Sequence, residues 1–109
     1  MRRTAFALLA LALASSAYAG GNAARGKEKA AQVCAACHGP DGNKPSAPDQ
    51  PVLAGQYEDY LVRALTDYKS GRRNNPIMKG FAGQLSKQDI EDLAAWFSSQ
   101  TKTSLHDQR

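Results

Sequence analysis

Three stretches of the sequence repeat apolar residues with the spacing of an amphipathic helix. The first runs from Arg25 to Cys37, where small and apolar side chains recur on one face of a helical wheel. Its members are Gly26, Ala30, Val33, Cys34 and Cys37. The two smallest, Gly26 and Ala30, suit either close approach by another helix or an ordinary weak core.

The second and third stretches carry end signals as well as periodicity. Residues 57–70 predict a helix that ends at Gly71, a residue type common after the last helical turn. Its apolar stripe is Tyr57, Tyr60, Leu61, Ala64, Leu65 and Tyr68. The third helix is predicted to start at Ser86, with Asp89 in the capping-box position, and to run to about Gln100. Its buried face is Ile90, Leu93, Ala94 and Phe97, with Trp96 beside them.

The segments between these helices, residues 39–56 and 72–85, are rich in proline and glycine and predict two loops. Loops of this length in a small domain usually wrap around something. No internal repeat and no strand pattern is evident. The expected fold class is therefore all-α, with about three main helices and long loops.

The start of the chain has the pattern of a secretory signal peptide over residues 1–19. Arg2 and Arg3 precede a short apolar run, and Ala17-Tyr18-Ala19 forms an A-x-A cleavage site. The apolar run is too short to span a bilayer, which takes about 20 residues. We therefore expect export to the periplasm, without stable membrane insertion after cleavage. Residues 20–109 would form a single domain, with an ordered core over about 25–100 and a polar, disordered tail over 101–109.

Charge and size narrow the possible partners. The 109-residue chain has a net charge of +4, and removal of residues 1–19 would leave 90 residues and a charge of +2. This weak balance implies neither a nucleic-acid nor an anionic-membrane partner. A domain of this size has a thin core, and small exported domains usually compensate with disulfides or a bound group.

One motif predicts what that group is. Cys34-Ala35-Ala36-Cys37-His38 is a C-x-x-C-H string, the pattern of covalent c-type haem attachment. The spacer brings both thiols onto about one helical turn, so that each can add to one haem vinyl group. His38 then lies next to the iron as an axial ligand. A haem would also supply the apolar core that the chain lacks.

The opposite axial ligand is predicted by elimination. Met1 leaves with the signal peptide and His106 lies in the polar tail, which leaves Met78 in the second predicted loop. Met78 could instead be a core methionine, since methionine fills gaps well. As a ligand, its thioether would raise the reduction potential of the iron.

The ordered set of motifs resembles the class I cytochromes c, particularly the small bacterial monohaem type, and is similar to one half of the diheme bacterial cytochromes c. The likeness covers Gly26 to Gln100. It rests on C-A-A-C-H-G at 34–39, D-G at 41–42, P-V-L-A-G-Q at 51–56, Y-L at 60–61, N-P-I-M at 75–78, L-S at 85–86 and D-I-E-D-L-A-A-W-F at 89–97.

The resemblance implies further assignments. The Pro51 carbonyl would accept a hydrogen bond from the ligating His38 and orient its ring. The first and last helices would cross with Gly26 and Ala30 against Trp96 or Phe97. One covalent haem c is expected, in a monomeric one-electron carrier that is not an enzyme and meets redox protein donors and acceptors transiently.

Other functions stay open at this point. The chain could be a haem-bearing subunit of a larger redox enzyme, or a haem sensor or peroxidase with an open sixth site. Cys34 and Cys37 could also be the redox pair of a thiol–disulfide oxidoreductase. A structural zinc site is a weaker hypothesis than any of these. Arg72 and Arg73 could pair with a haem propionate, face a partner, or simply be solvated.

Overall fold

The computed structural model describes residues 20–103, and the regular elements of this part are five α-helices. They are α1 (Ala23–Val33), α2 (Ala35–His38), α3 (Glu58–Ser70), α4 (Pro76–Ala82) and α5 (Lys87–Ser98). The predicted all-α class is confirmed. The predicted signal peptide and His106 lie outside the described residues. None of the helices in residues 20–103 is long and apolar enough to cross a membrane.

The end signals predicted from the sequence set where α3 ends and where α5 begins. Ser86 accepts a hydrogen bond from the Asp89 amide, and the Asp89 carboxylate accepts one from the Ser86 amide, each at 2.9 Å. This reciprocal capping box satisfies two amides that would otherwise lack partners in the first turn. The other helix, α3, ends before Gly71 as predicted. Both helices therefore follow their sequence signals closely.

Two features of the helix prediction were wrong. The first helix is not continuous, because α1 ends at Val33 and α2 begins at Ala35. The second predicted loop contains α4, a seven-residue helix. Its start has a clear physical cause: proline is favoured in the first helical turn, and it pushes the preceding residue into the extended conformation of an N-cap. Asn75 has this conformation (φ −152°, ψ 104°), so Asn75-Pro76 begins a helix.

The core forms where α1 crosses α5. A Cβ atom at Gly26 would overlap the main-chain oxygen of Asp92 and lie 2.9 Å from the Cβ of Trp96. The small residue therefore serves close helix approach, and the crossing expected from the family resemblance is present. The predicted buried face of α5 is buried, at 0–3% exposure, and α3 adds two residues to the core. These residues are Ile90, Leu93, Ala94 and Phe97 of α5 and Leu61 and Ala64 of α3.

A buried carboxylate joins the two crossing helices. The side chain of Asp92 is 5% exposed and accepts hydrogen bonds from the Asn22 amide at 2.7 Å and Arg25 Nε at 3.0 Å. The Gln88 side-chain amide donates a further bond at 2.8 Å. Burial alone would raise the pKa of Asp92, but the bonds from Arg25 and the Asn22 amide outweigh it. The pKa lies below its usual range, so the charged form stabilises this corner.

The tail is held at its start, which differs from the predicted disorder over 101–109. Buried Asn43 donates from Nδ2 to the Thr101 carbonyl at 3.0 Å. Its Oδ1 accepts a hydrogen bond from the Thr103 amide at 2.7 Å. Residues 101–103 therefore pack along the first loop, because a buried amide side chain needs these partners. Residues 104–109 lie outside the described part of the chain.

Candidate functional site

The residues of the C-x-x-C-H motif share one tight turn. Cys34 lies between α1 and α2, and its carbonyl accepts hydrogen bonds from the amides of Cys37 at 3.2 Å and His38 at 3.0 Å. Both thiols are free and half-buried. The backbone thus brings two sulfur atoms and one imidazole into the same turn. This arrangement suits covalent attachment to a single flat group beside the imidazole.

The electrostatics of Cys34 do not favour thiol–disulfide chemistry. Burial, with a smaller contribution from Cys37, raises the pKa of the Cys34 thiol to about 11. Oxidoreductases of the C-x-x-C type depend on a thiolate whose pKa is lowered, because the thiolate is the attacking species. Cys34 has the opposite property, which disfavours the thiol-enzyme hypothesis.

The imidazole of His38 is oriented by the first loop. His38 is 7% exposed, and its Nδ1 lies 3.0 Å from the carbonyl oxygen of Pro51. Because a carbonyl can only accept, Nδ1 carries the hydrogen and donates it, so Nε2 is the nitrogen that can face a metal. A histidine with one nitrogen fixed in this way is typical of a metal ligand with a supporting partner.

The loop that carries Pro51 is itself tied to α5. Trp96 Nε1 donates to the Pro40 carbonyl at 3.0 Å, and the Gly55 amide donates to the Phe97 carbonyl at 2.9 Å. At its start, Gly39 has a φ of 88°, a left-handed conformation that favours glycine. These bonds hold the two ends of the loop against one helix. The family resemblance had placed Trp96 at a packing position, and its bond to Pro40 is an additional role.

Met78, the predicted second ligand, lies in the first turn of α4 and is half-buried. Asn75 Oδ1 accepts hydrogen bonds from the amides of Ile77 and Met78, both at 3.1 Å. Two large apolar side chains of the same helix face outward, with Ile77 69% exposed and Phe81 38% exposed. Apolar side chains one turn apart and open to solvent are typical of a surface that binds something apolar.

Arg73 has partners on α3. Its guanidinium lies 4.7 Å from the centre of the Tyr68 ring and 3.4 Å from the hydroxyl of Tyr60. Its backbone amide donates to the Asp67 carbonyl at 3.0 Å. These interactions secure the segment that leads into α4. Arg72 is exposed.

The donor set fits a covalently held haem. It offers two thiols and one oriented imidazole in the same turn, which suits covalent attachment of the ring and one ligand to its iron. It does not fit a protein-only metal site. In residues 20–103, no group of three or more His, Cys, Asp or Glu side chains is arranged to hold a metal ion.

Comparison with known proteins agrees with this fit. Residues 23–101 match the cytochrome c family. The chain is 53% identical to cytochrome c4 of Pseudomonas aeruginosa over 93 residues, which cover 85% of this chain and 45% of that protein. It is 43% identical to cytochrome c-554(548) of Halomonas halodenitrificans over 83 residues, covering 73% of this chain and 98% of that one.

A solved structure has the same fold, and this chain again matches about half of its length. The crystal structure of reduced recombinant cytochrome c4 from Pseudomonas stutzeri superposes with a TM-score of 0.70 and 46% identity. The match covers 77% of this chain and 48% of that one. The chain therefore spans about half the length of the cytochrome c4 relatives that it matches.

The chain belongs to the cytochrome c family, and its cofactor is covalently bound haem c. The motif cysteines, His38, Pro51 and Met78 are the site residues that the sequence predicts, and their roles toward the haem stay predictions. For Asn75 the sequence left open a hydrogen bond near Met78 or ordinary turn formation. Its N-cap role was not predicted, although an asparagine directly before a proline is a helix-start signal.

Proposed function

We propose that this chain is a one-electron carrier of the periplasm in which Cys34 and Cys37 form the thioether links. His38 and Met78 would be the axial ligands of the iron. When bound, the haem supplies an iron centre that changes between the ferrous and ferric states. The observation that carries the proposal is the 3.0 Å hydrogen bond from His38 to Pro51, on the same turn as both thiols.

The protein residues would hold the centre unchanged through electron transfer. The Pro51 carbonyl fixes the ring of His38, so the imidazole keeps its orientation in both oxidation states. The thioether of Met78 is a soft donor that stabilises the ferrous state more than the ferric state, which gives a high reduction potential. Ligands that do not move keep structural rearrangement during transfer small.

Transient encounters with redox proteins would complete the function. Small interfaces of this kind bury less than about 1,200 Å². The net charge of +2 expected after removal of residues 1–19 gives only weak, salt-sensitive attraction to an acidic partner. The alternative, a haem subunit that stays docked on a larger redox enzyme, uses the same site and differs only in the lifetime of the contact.

Spectra of the exported protein test the proposal. The wild type should show a reduced-minus-oxidised spectrum of six-coordinate haem, and its pyridine haemochrome should be that of haem with two thioether links. Met78→Ala should give a high-spin centre that binds carbon monoxide. If Met78→Ala leaves both the spectrum and carbon monoxide binding as in the wild type, Met78 is not a ligand, and the sensor or peroxidase function becomes the better one.

A matched variant separates ligation from packing. Met78→Leu keeps the apolar volume of the side chain and removes the sulfur. It should behave like Met78→Ala in carbon monoxide binding while it keeps more of the thermal stability. A Met78→Leu protein with the wild-type spectrum would show that Met78 only packs.

A further inference from the structure

The short helix that carries Met78 cannot hold its shape unaided. Isolated helices of fewer than about 12 residues are marginal in water, and α4 has seven. It must be fixed by its ends and by what it packs on. Ala82, in its last turn, is fully buried. Lys69 fixes the chain after α4, where its ammonium donates to the carbonyls of Gly83 at 3.2 Å and Leu85 at 2.7 Å.

The other end depends on a single residue. The side-chain oxygen of Asn75, Oδ1, accepts hydrogen bonds from the amides of Ile77 and Met78. The main-chain carbonyl of Asn75 accepts one from the Lys79 amide at 2.8 Å. Pro76 has no amide hydrogen. Every amide of the first turn that can donate therefore donates to Asn75. One of these amides belongs to Met78 itself, so the Asn75 side chain directly fixes the backbone from which the thioether projects.

The surroundings of this turn give it little other support. Asn75 is exposed, Ile77 is largely exposed, and Met78 is only half-buried. The polypeptide itself therefore offers this turn little packing that could replace the cap. Arg73, two residues before Asn75, is held against α3 by Tyr60 and Tyr68.

We propose that Asn75 is a positioning residue for Met78, whose side-chain cap sets how strongly the thioether competes with other ligands for the iron. The proposal rests on Met78 being an axial ligand. Removal of the cap frees the first turn, so that Met78 spends more time away from its ligating position. An external ligand then displaces it more easily, while the other haem-binding residues are unaffected.

Imidazole binding to the purified ferric holoprotein tests this. Asn75→Ala should bind imidazole about fivefold more tightly than the wild type, which corresponds to about 1 kcal/mol at 1.4 kcal/mol per tenfold. Asn75→Ser restores a capping oxygen and should lie within about twofold of the wild type. Asn74→Ala, at the exposed neighbour of the same type, is the matched control and should not change the affinity.

The measurement is made well below the unfolding temperature, where a purely structural role would leave the affinity unchanged. An unchanged affinity in Asn75→Ala overturns the proposal, as does Asn75→Ser behaving like alanine or Asn74→Ala shifting equally. If Asn75→Ala does not accumulate with haem, Asn75→Thr replaces it. Threonine caps less well than serine, so an intermediate shift is expected and none would overturn the proposal.

The Met78→Ala protein distinguishes the two possible failures. If its imidazole affinity equals that of the wild type, Met78 is not a ligand and the proposed function fails. If Met78→Ala binds imidazole much more tightly but Asn75→Ala does not, the ligand assignment stands and only the positioning role of Asn75 fails.

Discussion

The carboxylate of Asp92 loses most of its contact with water on folding and gains hydrogen bonds in return. Its carboxylate is nearly excluded from water, and a buried charge is unfavourable unless it is paired and hydrogen-bonded. Here donors from the N-terminal segment and from its own helix surround both oxygens. The partners come from Asn22 and Arg25 on one side and Gln88 on the other. Asp92 therefore reports directly on whether α1 and α5 are in contact.

Replacing this carboxylate should destabilise the protein in a pH-dependent way. At pH 7, Asp92→Asn should lose about 2 kcal/mol of unfolding free energy, because charge-assisted hydrogen bonds to a buried group become neutral ones. Urea unfolding of the haem-loaded protein measures this. Asp49→Asn, at an exposed carboxylate, is the matched control and should change stability by less than about 0.5 kcal/mol.

The sign of the pH dependence follows from the direction of the pKa shift. The folded pKa of Asp92 lies below the unfolded value of about 3.9. The stabilisation is therefore complete above the unfolded pKa and is lost as the pH falls through the folded pKa. The difference between the wild type and Asp92→Asn should shrink as the pH falls through this range. A difference that stays constant down to pH 2 would contradict the assignment.

Among the elements, the crossing of α1 and α5 is the least tolerant of change. Gly26→Ala places a methyl group against the main chain of Asp92, and the main chain cannot move aside without separating the helices. We expect a loss of about 3 kcal/mol or more, or failure to accumulate folded protein. Thermal unfolding followed by circular dichroism is the measurement.

Gly80 provides the matched control for that substitution. It also lies within a helix, but a Cβ there has nothing within 4 Å. Gly80→Ala should leave the fold intact and raise stability by about 0.5–1 kcal/mol, because alanine is the better helix former. Equal destabilisation by both substitutions would show that helix propensity, and not close approach, decides the effect at Gly26.

The elements also show where sequence reasoning succeeds. The helices α3 and α5 could be predicted because periodicity and end signals agree: Gly71 ends one and Ser86 begins the other. The sequence does not predict the helix α4, because seven residues are too few for a periodic pattern and Pro76 also favours a loop. Whether these residues form a helix depends on the cap and on tertiary packing at Ala82, and the local sequence does not reveal that packing.

The candidate site divides in the same way. Cys34, Cys37 and His38 could be predicted because the chemistry needs them at a fixed local spacing. The partnership of His38 with Pro51 joins residues 13 apart through a loop without periodicity, so only the family resemblance suggested it. No comparable signal pointed to the bond between Trp96 and Pro40, which joins residues 56 apart.

In the molecule as a whole, the polypeptide buries few large apolar side chains, so the bound haem is needed for the stability of the fold. Leu93 is the only large side chain that is completely buried in the described residues, and five of the ten buried hydrophobic residues are alanines. Each alanine contributes little apolar area to the core. Large apolar side chains on α3 and α4 meanwhile stay exposed. The polypeptide alone therefore has few apolar contacts with which to offset its conformational entropy.

Loss of haem attachment should therefore unfold the chain. The Cys34→Ala/Cys37→Ala double variant, without residues 1–19, is expected to be largely unfolded at 25 °C by far-ultraviolet circular dichroism. The haem-loaded wild type of the same length is the comparison. Native helix content in the double variant would show that the polypeptide core is sufficient by itself.

The pairing of α1 with α5 has a consequence for the order of events as the chain is made. A polypeptide that emerges with its N-terminus first cannot close this crossing until residue 98 has followed residue 23. Until then, the turn with Cys34 and Cys37 has no helix behind it and stays open to whatever attaches the cofactor. Pairing with α5 therefore comes late in synthesis: the delay leaves an interval for the covalent chemistry, and folding of the two helices together ends that interval.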